Sequence, residues 1–470
     1  MSDDIHWLSA AELSAAYREQ TLSPVEVTEF LLGRIDALDA EINSFCLIDA
    51  GRTMAMAEAS ERRWQEGEPL SPLDGVPVGV KDLLITKDWP TLRGSLTVDK
   101  NQTWDADAPT VARLREAGAV LIGKTTTPEF GWKGSCDSPL TGITRNPWDR
   151  NTTPGGSSGG SCAAIAAGFC PLALGTDGGG SIRIPAAFTG TFGLKPSFGR
   201  VPAYPLSPFG TVAHVGPQTR TVEDAALLMN VISRPDARDW YAAAYDRRDF
   251  ADGLEAGIKG ARIAFSPRLG FAPQIDPEIE AAVEKAVETF RALGATVERA
   301  DPAMGEATRI FKTTWWGAAG HFLGSLPPEK LAQLDPGLRR MVEAGQAMSK
   351  QEIMQAALDR ATLGSTFRQF MANYDFLVTP ATATPAFSVN QPVSPWGDDG
   401  DAWMRWTPFT YPFNLTQNPA ATVTCGFTKA GLPIAVQIVG RMHDDWAVLR
   451  AAKAYETANP LYTHHPKEYA

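Results

Sequence analysis

Two runs of glycine and serine constrain this chain more than anything else in it. Gly155-Gly156-Ser157-Ser158-Gly159-Gly160-Ser161 and Thr176-Asp177-Gly178-Gly179-Gly180-Ser181 place Ser157 and Ser181 24 residues apart, each among glycines. Such segments carry no side chain large enough to fill a core. Their use is that glycine lets backbone N–H groups approach a ligand closely and point at one spot. Between them, Cys162 to Ala167 is small or apolar and reads as a closely packed helix, and Leu172 to Leu174 reads as a buried strand. One loop feeding a helix and a second loop leaving a strand predict a layered fold with a backbone-lined cleft.

The rest of the chain supplies the layers. Val76, Val78 and Val80 alternate toward a strand ending at Lys81, Pro109 to Ala117 reads as a short helix, and Ala119 to Ile122 as a strand. Arg262 to Phe265, Pro277 to Leu293 and Ala295 to Val297 form a β-α-β pattern, with Asp276 as cap and Gly294 as stop. Residues 300–373 are mostly helical in pattern, and Ala420 to Cys425 with Ile434 to Val439 predict a hairpin. Ser9-x-x-Glu12 and Ser23-Pro24-x-Glu26 are capping boxes at the N-terminal end. Alternating strands and helices predict an α/β class.

Composition excludes several functions. The net charge of −11 argues against a general nucleic-acid binder, which needs a basic face. Five cysteines without a C-x-x-C pair give neither a disulfide framework nor a zinc ribbon, and free thiols fit a reducing compartment. With an acidic start and no run of about 18 apolar residues, the expectation is a cytoplasmic protein without a membrane span.

Three candidate chemistries compete. Gly118 to Thr125 spells a phosphate loop, G-x-x-x-x-G-K-T, but its intervening residues read as an apolar strand preceded by a helix, which is the wrong context. Gly155-x-Ser157-x-Gly159 spells the nucleophile elbow of an α/β-hydrolase-type esterase, which needs a later acid and a histidine. Of the six histidines only His214, His321 and His443 could serve, and none has an informative neighbourhood. The third reading pairs a serine with a lysine. Lys81 follows an apolar strand, where desolvation would lower its pKa and free it to act as a base; the bland alternative is a surface lysine at a strand end.

The segments Asp74 to Asp82, Asn146-Pro147-Trp148, Gly155 to Ser161, Gly175 to Pro185 and Phe192 to Pro196 closely resemble the amidase signature family, densely over about residues 70–225 and more loosely through Pro419 to Cys425 and Gly431 to Gly440. The resemblance implies a single three-layer α/β/α domain over residues 1–470, with a large mixed sheet and a variable helical region, about 300–373, over the cleft. It implies Ser181 as nucleophile, Ser157 as a proton-shuttling serine after a cis peptide bond, and Lys81 as base. The amides of Gly178, Gly179, Gly180 and Ser181 match the oxyanion hole, and Asp177 and Arg183 match positions that brace the loop. Gly131, Trp132, Trp315 and Trp316 are the expected pocket residues, giving an aromatic, weakly charged cleft. The implied activity is hydrolysis of a small apolar or aryl amide, with esters or carbamates as side activities. No metal or organic cofactor is implied; the partner is a small-molecule amide, with no nucleic acid and no membrane, and a homodimer is compatible. An alternative is the glutaminase-type component of a glutamyl-tRNA amidotransferase. Those components usually carry an Asp just before an F-T-x-P-x-N stretch; here Phe409 to Asn414 is preceded by Thr407-Pro408, a departure that weakens glutamine recognition. A non-catalytic binding protein would not need Lys81, Ser157 and Ser181 together.

Overall fold

Strand-forming runs from most of the chain's length meet in one sheet. The computed structural model describes residues 4–272, 274–391, 393–396 and 402–469. Eleven strands build the main sheet: β1 (Phe45–Leu47), β2 (Pro77–Lys81), β3 (Val120–Thr125), β4 (Leu172–Asp177), β5 (Phe192–Lys195), β6 (His214–Thr219), β7 (Arg262–Phe265), β8 (Thr296–Arg299), β9 (Phe376–Pro380), β10 (Ala420–Phe427) and β11 (Pro433–Gly440). Across the sheet they run β1-β3-β2-β4-β6-β5-β10-β11-β9-β7-β8. β2 is parallel to β3 and β4, and β7 is parallel to β8 and β9, while the pairs from β4 through β6, β5, β10 and β11 to β9 are antiparallel. The sheet is therefore mixed, within a mixed α/β fold. β2, β3, β4 up to Gly175, and β9 are buried residue by residue, as strands covered on both faces are.

The helix Gly159–Ala166 is wholly buried, and its small side chains explain how. A Cβ on Gly160 would lie 2.4 Å from Thr126 Oγ1, so only glycine lets this helix come so close to the chain leaving β3. The expected capping boxes at Ser9 and Ser23 are both formed, and the hairpin β10–β11 and the β7-helix-β8 unit lie where the pattern predicts. β3 runs farther than expected, to Thr125, so the Gly123-Lys124-Thr125 that completes the phosphate-loop spelling lies inside a strand. Lys124 is buried there, 3.2 Å from Asp82. Residues 300–373 form the helices Ala307–Phe322, Pro328–Leu331, Pro336–Gln346 and Lys350–Met371. No helix of the described residues is long and apolar enough to cross a membrane.

Candidate active site

Strand β2 carries Lys81 into the middle of the sheet's edge facing the glycine loops, where the side chain is fully buried. Its Nζ lies 2.7 Å from Ser157 Oγ, 2.8 Å from Ser158 Oγ and 2.9 Å from Thr176 Oγ1. Burial pulls its pKa down from the usual lysine range to about 7, against a smaller opposite pull from Cys136 and Asp177. The first glycine loop holds Ser157 there. The Gly156–Ser157 peptide is cis, and a Cβ on Gly156 would sit 2.2 Å from the Ser135 carbonyl oxygen. Ser158 fastens this loop to the end of β4: its hydroxyl donates to the Thr176 carbonyl (3.1 Å) and accepts from the Thr176 amide (3.2 Å). The Ser158 amide donates to the Ser181 carbonyl at 3.1 Å, which ties the two loops together.

The second loop is braced from inside. Asp177 accepts from the amides of Gly180 (2.7 Å) and Ile182 (3.1 Å), and its two oxygens each lie 2.9 Å from Arg183 nitrogens. Burial would push the Asp177 carboxyl up, but Arg183, Lys195 and Asn414 outweigh it and hold the group well below the usual carboxylate range. Arg183 also donates to the Thr410 carbonyl, Asn414 Oδ1 and Gln437 Oε1. Of the four amides expected to form an oxyanion hole, one has an acceptor inside the loop. The Gly180 amide is committed to Asp177, so only the amides of Gly178, Gly179 and Ser181 are without an acceptor among the described residues.

Ser157 and Ser181 open onto a cavity of about 390 Å³ whose apolar wall includes Leu83, Phe130, Phe198, Phe209, Trp315 and Phe322. Of the expected pocket residues, Gly131 and Trp315 line it. Gly131 has φ +73, and a Cβ there would stand 3.1 Å from Ser157 Oγ. Trp315 stacks on Phe209 with centroids 3.7 Å apart, and its ring lies where a Cβ on Gly178 would fall, 2.6 Å away. Trp132 lines only a small recess behind, with Gly179, Ser181 and Trp403. Trp316 lines neither space; one residue along the same helix turns it about 100° away, and the Lys312 ammonium sits over its ring at 4.3 Å.

Sequence reasoning missed Ser158 and Thr176, whose signal was their place inside the two glycine runs, and the cavity wall Phe198 to Val215, whose signal was Pro202, Pro205 and Pro208. His214 is buried in that wall, and its Nδ1 faces the Val212 and Asp177 carbonyls at 2.8 and 3.2 Å, so this nitrogen carries the proton. Burial, with Lys195 adding to it, holds the ring neutral. It makes no hydrogen bond to Ser157, the serine of the elbow spelling, whose hydroxyl meets Lys81 instead, so the elbow lacks its histidine base. No cluster of three or more His, Cys, Asp or Glu among the described residues could hold a metal. Chemically, a neutral amine in contact with a serine hydroxyl, a second serine and unsatisfied amides can move a proton and hold an oxyanion.

The sequence profile of the family described as Amidase matches residues 26–449. This chain belongs to the amidase signature family. It is accordingly a hydrolase acting on carbon–nitrogen bonds. The chain is 36% identical to an acylamidase of Rhodococcus erythropolis over 99% of its own length and 98% of the relative's. It is also 36% identical to the A component of the glutamyl-tRNA(Gln) amidotransferase of Myxococcus xanthus, covering 97% of this chain and 98% of that one. Among solved structures it is similar to a bacterial aryl acylamidase of the amidase signature family, with a TM-score of 0.91, 32% identity and 98% of each chain covered.

Proposed function

We propose that this chain hydrolyses a small apolar or aryl amide through an acyl-enzyme on Ser181, with Ser157 and Lys81 as proton relay. The observation that carries the reading is the buried Lys81 amine, lowered to about 7 and 2.7 Å from Ser157 Oγ. Ser158 is not the proton source, because its hydroxyl hydrogen already goes to the Thr176 carbonyl. Neutral Lys81 takes a proton from Ser157, Ser157 takes one from Ser181, and Ser181 Oγ bonds to the amide carbon. The amides of Gly178, Gly179 and Ser181 hold the oxyanion. Ser157 then protonates the leaving amine as the C–N bond breaks, and water repeats the cycle on the ester. Asp177 and Arg183 keep the loop in shape without touching substrate. The aromatic cavity and the likeness to an acylamidase and an aryl acylamidase support an aryl or apolar substrate.

The equal identity to an amidotransferase component favours a second reading, in which the chain frees ammonia from glutamine inside a complex. Pro408 before Phe409 speaks against it. The experiment is a panel of anilides, aliphatic amides, glutamine, aryl esters and carbamates on the purified chain alone, with an acylating serine probe mapped by mass spectrometry. Turnover of an anilide and label on Ser181 are expected. Preference for glutamine, or label on Ser157 or a cysteine, would overturn the reading. We also read the chain as one domain, since strands from residue 45 to 440 share one sheet, and as cytoplasmic, since its cysteines are unpaired.

A further inference from the structure

The cavity beside Ser157 and Ser181 is walled mostly by apolar groups, yet one permanent cation lies on it. Among its described lining residues the only lysine or arginine is Arg93. The other formally charged side chain there, Asp239, is already engaged by the amides of Ala203 and Tyr241 at 2.9 and 2.8 Å. Arg93 also lines an adjoining recess of about 510 Å³, which shares Phe130 and Phe322 with the main cavity. The guanidinium therefore stands where the two spaces meet.

Asp82 attracts the guanidinium through space, but no acid among the described residues contacts it. No carboxylate, carbonyl or ring among the described residues takes a contact from the guanidinium; the residue's hydrogen bonds are made by its backbone. Asp82 is the buried acid that acts on it, but Asp82 accepts the Arg93 amide at 2.8 Å and pairs with Lys124 at 3.2 Å. Asp99 and Asp105 face the recess from exposed positions, and neither forms an ion pair with Arg93. A half-buried guanidinium with no contacting partner among the described residues is unusual, because burying charge is unfavourable unless it is closely paired. Burial shifts its pKa downward against a smaller opposite pull from Asp82, the direction a bound anion would reverse.

The backbone fixes where this side chain emerges. Arg93 has φ 58 and Gly94 φ 62, two consecutive left-handed residues, a conformation that a long side chain adopts only under constraint. The constraints come from the active site itself. Asp82, next to Lys81, accepts the Arg93 amide, and the Arg93 carbonyl accepts from Phe130 at 2.8 Å, one residue before the Gly131 that packs on Ser157.

We infer that Arg93 is a specificity-determining residue, and that among the aryl or apolar amides this site accepts it favours those that also carry a carboxylate or similar anion away from the scissile bond. The inference rests on the amidase reading above for the identity of the scissile bond, but not for the anion contact. An oxyanion on the acyl part or on the amine part could accept two N–H donors from a guanidinium, the geometry arginine favours, while the rings of the wall take the apolar body between.

The test separates binding from turnover. In the full chain carrying Ser181→Ala, dissociation constants are measured calorimetrically for two pairs: 4-acetamidobenzoate against 4-nitroacetanilide, its uncharged isostere, and the anilide of glutaric acid against hexananilide. At least one carboxylate should bind roughly 10- to 100-fold more tightly than its neutral counterpart, as a charge-assisted hydrogen bond provides. Adding Arg93→Met or Arg93→Gln should erase that ratio, and Arg93→Lys should keep part of it. A merely structural Arg93 would weaken both members of a pair together. No carboxylate preference in either pair, or a preference that survives Arg93→Met, overturns the inference. Wild-type turnover of the neutral anilides is scored separately. Carboxylate preference without any turnover would sink the amidase reading and leave Arg93 standing; turnover without preference does the reverse.

Discussion

Around Asp177, position is set by hydrogen bonds; across the cavity, it is set by ring faces. Asp177, Arg183, Asn414 and Gln437 are fully buried and joined by bonds of 2.7 to 2.9 Å. Phe209, Trp315 and Phe311 stack on one another, Trp315 and Phe311 against Gly178 and Gly179, and the Trp315 indole nitrogen has no hydrogen-bond partner. Directional bonds between buried polar groups admit one geometry and penalise any loss, because each orphaned group stays desolvated. Apolar stacking tolerates change in shape and loses little at a time. The polar centre is thus suited to fixing the chemistry, and the aromatic wall to choosing among substrates.

That division can be broken by substitution. The largest effect is expected at the polar centre: Ser181→Ala should lower kcat/KM for an anilide by at least about 10⁴-fold with an unchanged unfolding midpoint. Lys81→Met should cost roughly 10²- to 10⁴-fold. In the wild type, Lys81 must be neutral to act. Since its pKa is lowered to about 7, kcat/KM should fall tenfold per pH unit below that value and level off above it; the variant should lack this limb in a pH–rate profile. Arg183→Met strands the Asp177 carboxylate and should destabilise the fold by about 3–5 kcal/mol, read by urea unfolding. On the wall, Trp315→Ala should raise KM for an aryl amide by roughly tenfold and for acetamide far less. Its sequence neighbour Trp316 should be nearly silent, with Trp316→Ala changing KM by less than about twofold. Equal effects of the two tryptophans would erase the distinction between wall and outer face.

The same division explains what could be read from the sequence. Lys81, Ser157, Ser181, Asp177 and Arg183 sit in short contiguous runs whose glycines announce a special backbone; in the structure Lys81 meets Ser157, Asp177 meets Arg183, and Ser157 and Ser181 line one cavity. The strands of the sheet were legible from alternation and from turn residues at their ends. The wall was not. Phe198 and Phe209 have no periodicity to flag them; Phe198 packs edge-on against His214 and Tyr241, and Phe209 stacks on Trp315, more than a hundred residues later. Trp315 and Trp316 look alike in a sequence, and only the helical turn decides which one faces the cavity. The bond from the Gly180 amide to Asp177 was not legible for a related reason: glycine shows that an N–H can point inward, not whether a carboxylate has claimed it.

The brace on the second glycine loop has a consequence for how the protein is made. Arg183 finds its acceptors at Thr410, Asn414 and Gln437, and the Thr410 hydroxyl donates to the Gly179 carbonyl at 2.7 Å. During translation, the ribosome delivers Arg183 227 residues before the Thr410 that helps to lock it, and Lys81, Ser157 and Ser181 earlier still. Until that segment emerges, Arg183 lacks those three acceptors, and Asp177 has only Arg183 and the local amides of Gly180 and Ile182. A polypeptide cut short before residue 409 keeps every reactive side chain and loses the frame that aims them, so it should be inert. Activity then becomes a property that the nascent chain acquires only near the end of its synthesis.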